Sequence, residues 1–325
     1  MRFLITGISG FTGPHLAAHL LKQPAVEQVG GLDRCGSSPP TAVLLPLDIA
    51  HYQVDVCVPD DVRKAVAEFA PSHVVHLAAL PQAPGIDEES LYRVNVLGTL
   101  HLLRAVREHD PETKVLIVGS SACYGRMSEG SISLTEHTPF QPVTHYAASK
   151  VAQEMVGVAF HAGNGLAVIR ARSFNLVGPG QPVNLFASSI ARQIAAAELG
   201  LGEPTLLVGN LDSVRDFLDV RDAVRAYEQL MRLGSGGEVY NVCSGRPTPV
   251  ADCLELLVAM SEVPMNVKSR TEDLMRRGQE IGIQVGDNSR LREATDWSPE
   301  IPLERSMRDL LQYWRIRLAD GSTDS

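Results

Sequence analysis

The sequence predicts an α/β fold, a doubly wound parallel sheet with a smaller lobe at its C-terminal end. Three observations carry this. Short apolar runs bounded by Gly, Pro, Asp or Ser alternate with segments of helical spacing through the first half of the chain. A glycine-rich loop follows the first apolar run and opens the first helical segment. Beyond residue 175 the alternation gives way to Gly- and Pro-rich stretches with scattered helices. Repeated strand–helix–strand units place successive strands parallel, with helices covering both faces.

The elements follow in order. Phe3-Leu4-Ile5, residues 29–32, 73–77 and 115–118, and Ala167-Val168-Ile169 read as strands. Residues 16–21, 62–69 and 94–106 have helical spacing, with Leu97, Leu100 and Leu103 on one face. In the second half, residues 185–198, 222–233, 250–260 and 303–317 read as helices. Residues 319–325 form a polar tail expected to fray.

The loop Thr6-Gly7-Ile8-Ser9-Gly10-Phe11-Thr12-Gly13 has the spacing GxxGxxG. Glycines let the backbone turn tightly and approach a pyrophosphate, and a helix N-terminus offers it N–H donors. Pro14 suits the first turn of that helix. In its strand–loop–helix context the motif reads as a Rossmann dinucleotide site, with Gly7, Gly10, Phe11, Thr12 and Gly13 against the cofactor. Asp33 ends the next strand, about 20 residues further on, where an acid accepts hydrogen bonds from the adenosine ribose and favours NAD(H). Arg34 can instead hold the 2′-phosphate of NADP(H), so both cofactors stay open. Asp55 is read equally as an adenine contact and as a solvated loop acid.

The chain has 325 residues, 44 % of them hydrophobic, and a net charge of −9. A mildly acidic enzyme fits this better than a nucleic-acid or membrane-surface binder, which would need a basic face. Cys35, Cys57, Cys123, Cys243 and Cys253 form no CxxC pair. Free thiols in a reducing compartment are expected, with no metal. No signal peptide or membrane-length apolar run is read, so a soluble, cytoplasmic protein is expected.

Tyr146-Ala147-Ala148-Ser149-Lys150 supplies the chemistry. Residues four apart share a helix face, so the phenol and the ammonium enter one site. A phenol ionises near pH 10, and a neighbouring cation is expected to lower that value. Lys150 can also hold the nicotinamide ribose. A third group should polarise a carbonyl; Ser120 or Ser121, at the carboxyl end of the fourth strand, can do so. Cys123 reads as a buried filler and His145 as a plain loop histidine.

These motifs together resemble the extended short-chain dehydrogenase/reductases that act on nucleotide sugars. The likeness covers nearly the whole chain, through residues 6–13, His76-Leu77-Ala78-Ala79, Asn95-Val96-Leu97-Gly98-Thr99, residues 120–125, residues 146–150, Arg172-Ser173-Phe174-Asn175 and Gly178-Pro179-Gly180. The resemblance implies cofactor contacts from Leu77, Ala78 and Ala79, and prefers Ser120 to Ser121 beside Tyr146 and Lys150. Sugar dehydratases of this family carry an acid that removes the C5 proton. Here the corresponding positions are Ser121 and Ala122, which disfavours a 4,6-dehydratase.

The second half resembles the branch that reduces GDP-4-keto-6-deoxy-D-mannose, although Ser173 stands where such reductases normally have proline. That likeness implies a nucleotide-sugar substrate held by Asn175, Asn210, Arg215, Arg277 and Glu280, and a homodimer. It also implies NAD(P)H-dependent reduction of a C4 keto group to give GDP-6-deoxy-D-mannose (GDP-D-rhamnose). A 4-epimerase that keeps NAD bound, and a non-catalytic dinucleotide sensor, are the alternatives. Residues 1–175, with 215–243 returning to them, are read as the Rossmann domain. Residues 176–214 and 244–318 are read as the substrate-binding lobe.

Overall fold

The computed structural model describes residues 1–34, 49–83, 85–126, 133–269 and 282–321. Seven strands form one parallel sheet: β1 (Arg2–Thr6), β2 (Gln28–Asp33), β3 (Ala50–Gln53), β4 (His73–His76), β5 (Lys114–Val118), β6 (Val168–Ser173) and, much later in the chain, Val239–Val242. Their spatial order is that last strand, then β6, β5, β4, β1, β2 and β3. The order reverses at β1, between its neighbours β4 and β2, and a crevice opens at such a switch point beyond the carboxyl ends of the strands. Every strand read from the sequence is present. The 50–53 strand, too short and polar to read, adds to the sheet beside β2.

Helices cover both faces because the inner strands are buried on both. One face carries α1 (Thr12–Leu20) and α7 (Val220–Leu233), which pack with Phe3, Ile5, Leu116, Ile169 and Trp297. The other carries α2 (Pro59–Phe69), α4 (Gly98–His109) and α5 (His145–Asn164) around Leu4, Val74, Val115 and Ile117. The helix expected over 94–106 is interrupted. A short helix α3 (Glu88–Tyr92) runs into a π-helical turn at Arg93–Leu97 before α4 begins. Such turns insert an extra residue and often mark functional sites. Here the turn carries the buried Asn95, whose side chain bonds Leu80 N, Leu80 O and Ser149 Oγ.

The second half of the chain supplies its own core. Helix α6 (Phe186–Glu198), helix α8 (Val250–Ala259) and the final helix Leu303–Ala319 bury Ile190, Ile194, Leu257, Leu310 and Trp314. Short strands tie this part to the ends of the sheet. Asn175–Val177 pairs with Phe217–Asp219, and Val214–Arg215 lies between Thr248–Pro249 and Ile283–Gln284. Asp216 joins these strands. Its buried carboxylate accepts from Ser244 N and Oγ, Gly245 N and Gly286 N.

The catalytic-motif helix is held by charge. Glu154, 3 % exposed, accepts from Arg172 Nε at 3.0 Å, Arg172 NH2 at 2.6 Å and Arg170 NH1 at 3.2 Å. Arg172 also donates to Tyr124 OH at 2.9 Å and lies 4.5 Å over the Phe140 ring. Removing one partner of a buried pair strands the other charge. Glu154→Ala is expected to lower stability by about 3–5 kcal/mol, read from urea unfolding; an unchanged midpoint would show the pair to be idle.

Candidate active site

The glycine loop closes the end of β1 onto the start of α1. Gly7 has φ +69°, and a Cβ there would come within 2.8 Å of Ala78 N. A Cβ on Gly13 would come within 2.2 Å of Ile8 O. Both positions therefore require glycine, and the backbone between them lies open to a ligand. The loop borders a cleft of about 390 Å³ that it shares with Phe11, Thr12, Leu77, Ala79, Val118, Ser120, Tyr146, Lys150, Ser173 and Tyr227, among others. Its glycine wall and its position at the switch point suit a nicotinamide dinucleotide.

At the far end of that cleft three hydrophilic groups converge. Thr144 caps α5 by accepting from Ala147 N at 3.1 Å, which places Tyr146 and Lys150 on the first turns facing the cleft. Burial raises the Tyr146 phenol above its usual value, and a hydrogen bond with the Ser120 side chain pulls it partly back. Burial also brings the Lys150 ammonium down to about 7. Its Nζ donates to Val118 O at 2.8 Å. This differs from the expectation that Lys150 lowers the phenol. Here desolvation dominates both groups, and the ammonium is committed to the end of β5.

Ser120 and Ser121 part ways. Ser120 lines the cleft, and its Oγ accepts from Ala122 N. Ser121 is buried and donates to Gln284 Oε1 at 3.3 Å. Among the described residues, those lining the cleft include neither Asp nor Glu. Cys123 is buried, and its thiol is pushed up to about 12, which leaves it inert. His145 is exposed, its Nδ1 3.2 Å from Tyr92 OH.

A buried polar chain beneath the cleft was not legible beforehand, although its residues sit in motifs already quoted. Thr99 spends its one proton on Asn95 O and accepts from Gln153 Nε2. His76 Nε2, 2.8 Å from Thr99 Oγ1, must therefore be the donor there. Nδ1 is then an acceptor for the Thr6 hydroxyl at 2.6 Å, and Thr6 Oγ1 accepts from Ala78 N. Burial and the nearby Lys150 lower His76 to about 3, so the ring is neutral. The chain ties the cofactor loop to the helix that carries Tyr146.

The other predicted positions fall as follows. Asp33 accepts from Ser9 N at 2.8 Å and from Ser9 Oγ, with His51 Nε2 3.4 Å away. Arg34 is exposed beside it. Asp55 accepts from Cys57 N, a local turn bond, and is not among the residues lining the cleft. Asn175 donates through Nδ2 to Asp216 O at 3.0 Å. Asn210 and Arg215 lie together on a second cavity of about 410 Å³, lined also by Asn184, Phe186, Ser189 and Ser213. Arg277 and Glu280 lie outside the described residues. The structure thus groups Ser120, Tyr146 and Lys150 at one site and Asn210 and Arg215 at another.

A family model described as GDP-mannose 4,6 dehydratase matches residues 4–310. The chain belongs to this family. It is an NAD(P)-dependent enzyme of the extended short-chain dehydrogenase/reductase type. It is 34 % identical, over 98 % of its length and 99 % of the relative's, to a GDP-6-deoxy-D-mannose reductase of Pseudomonas aeruginosa. It is 29 % identical, over 90 % of both chains, to a GDP-6-deoxy-D-talose 4-dehydrogenase of Aggregatibacter actinomycetemcomitans. Among solved structures, RMD from Pseudomonas aeruginosa complexed with NADPH superposes with a TM-score of 0.85 at 33 % identity, covering 97 % of this chain and 99 % of that one. A Thermus thermophilus UDP-glucose 4-epimerase complexed with NAD superposes with a TM-score of 0.84 at 26 % identity, covering 97 % and 99 %.

The Lys150 shift has a measurable consequence. Its value is about 7 folded and the ordinary 10.5 unfolded. Between those limits the unfolded chain binds the extra proton, so the cost of burying the cation is complete below pH 7 and is relieved as pH rises towards 10.5. Lys150→Met is expected to stabilise the cofactor-free protein by about 1–2 kcal/mol at pH 6 and by less at pH 10, read from thermal unfolding at both. An equal gain at the two pH values would mean that Lys150 is not buried as a cation.

Proposed function

We propose that this enzyme reduces the C4 keto group of GDP-4-keto-6-deoxy-D-mannose, giving GDP-6-deoxy-D-mannose (GDP-D-rhamnose). The observation that carries the reading is the convergence of Ser120, Tyr146 and Lys150 in a cleft that no carboxylate lines among the described residues. Proton exchange with a hydroxyl is provided for; abstraction of a sugar C–H proton by an acid side chain is not. The similarity to a GDP-6-deoxy-D-mannose reductase supports the choice of substrate.

The bound cofactor, NADPH or NADH, supplies the hydride. Tyr146 gives its proton to the C4 oxygen, the Ser120 hydrogen bond working against the burial that raises its phenol. Ser120 donates a hydrogen bond to the developing oxyanion. Lys150 holds the nicotinamide ribose and restores the Tyr146 proton. Gly7, Gly10, Phe11, Thr12 and Gly13 receive the pyrophosphate, with Leu77, Ala78 and Ala79 alongside, while Asp33 and Arg34 meet the adenosine ribose. Asn210 and Arg215 take the substrate diphosphate in the second cavity, Arg as a bidentate donor. Asn175, Arg277 and Glu280 complete this subsite in the reading drawn from the resemblance. Residues 1–175 with 215–243 serve as the cofactor lobe, and 176–214 with 244–318 as the substrate lobe.

Two wider readings belong here. Tyr92, Leu97 and Met155 are apolar and exposed on the helices flanking the site, and we take this face for a homodimer contact. Among the described residues no helix is long and apolar enough to cross a membrane, and Cys57, Cys123, Cys243 and Cys253 are free thiols. Thiols left free fit the reducing cytoplasm.

Incubation with GDP-4-keto-6-deoxy-D-mannose and either NADPH or NADH should oxidise the cofactor stoichiometrically, followed by loss of its absorbance. No oxidation with either cofactor would sink the reductase reading. The likeness to a 4-epimerase keeps that reaction in view, and it would interconvert sugars without net cofactor consumption. Ser120→Ala is expected to lower kcat by about 10²–10³-fold. Tyr146→Phe is expected to abolish turnover and leave the cofactor dissociation constant within about twofold; weakened binding would instead give Tyr146 a holding role.

A further inference from the structure

Two buried hydroxyls at the reaction end of the cleft have no part in the chemistry above. Ser173 Oγ and Tyr227 OH lie 2.6 Å apart, and both residues line the cleft together with Ser120, Tyr146 and Lys150. The β5–β6 register pairs Val118 with Ala171. Continued two residues along, it sets Ser173 level with Ser120. Tyr227 reaches the same point from α7 on the opposite side, with its ring fully buried. The proline that such reductases normally carry at position 173 would offer no side-chain hydrogen bond.

Proton counting says what the pair can bind. Two hydroxyls carry two protons, and the bond between them uses one. One O–H remains to donate, and oxygen lone pairs remain to accept. A primary carboxamide needs this combination, an acceptor at C=O and a donor at NH2. On the reading of the cleft as the dinucleotide site, hydride transfer requires the nicotinamide ring to sit beside Tyr146 and Ser120, within reach of the pair.

We propose that Ser173, its hydroxyl oriented by the buried Tyr227, binds the nicotinamide carboxamide and so sets which ring face meets the substrate. A carboxamide fixed at one edge cannot flip the ring without giving up both hydrogen bonds.

The test is calorimetric binding of NADP+ or NAD+, whichever binds tighter, against its 3-acetylpyridine analogue, in which the amide NH2 is a methyl group. Wild type should prefer the natural dinucleotide by about fivefold to twentyfold. Ser173→Ala and Tyr227→Phe should each bring that ratio to within about twofold, because the partner of the amide NH2 is lost. A purely structural role would lower the unfolding temperature and keep the ratio. Retention of the wild-type ratio in both variants overturns the proposal. Failure of the wild type to bind either dinucleotide would overturn the cleft reading itself, a different outcome that carries the proposal down with it.

Discussion

The buried carboxylate of Glu154 is the constraint on which the site depends. It sits one helical turn beyond Lys150 on α5 and grips both Arg170 and Arg172 on β6. Arg172 continues to Tyr124, whose hydroxyl donates to Asn241 Oδ1 on the outermost strand of the sheet. One charge cluster thus locks α5, β6, the turn that follows Ser120 and the sheet edge into one rigid frame. Burying such charges is costly unless each is paired and hydrogen-bonded. The return here is position, because a phenol and a serine on different elements must meet the same oxygen.

Below the cleft a second device does the same without net charge. The chain from Ala78 through Thr6, His76 and Thr99 to Asn95 is satisfied by one tautomer of a neutral histidine. Asn95 in turn holds Ser149, which lies between Tyr146 and Lys150 on α5. The π-helical turn brings Asn95 into this position. The cofactor loop and the proton-donating helix are therefore positioned from beneath as well as from the side.

Chemistry in the cleft is decided by what its walls lack as much as by what they hold. A family whose name records a dehydration includes this chain, yet Ala122 offers no proton acceptor. The walls carry serine hydroxyls, the phenols of Tyr146 and Tyr227 and one amine depressed to about 7. Such groups exchange protons with oxygens, which is what carbonyl reduction requires.

The sequence alone determined most of the elements and named the candidate groups of the site. Glycine spacing, strand lengths and the four-residue step from Tyr146 to Lys150 are local properties, set by backbone sterics and helical periodicity. Five of the seven sheet strands therefore appeared where the apolar runs said they would; those at Ala50–Gln53 and Val239–Val242 were not read. Tertiary structure decided everything that depends on which groups share a low-dielectric interior. It turned Ser121 away towards Gln284 and left Ser120 at the cleft. It raised Tyr146 by burial where proximity to Lys150 had suggested the opposite. It tied the Asn175 amide to Asp216 and paired Ser173 with Tyr227 across 54 residues of chain. Those outcomes rest on desolvation and on contacts between distant segments, and neither leaves a periodic mark in the sequence.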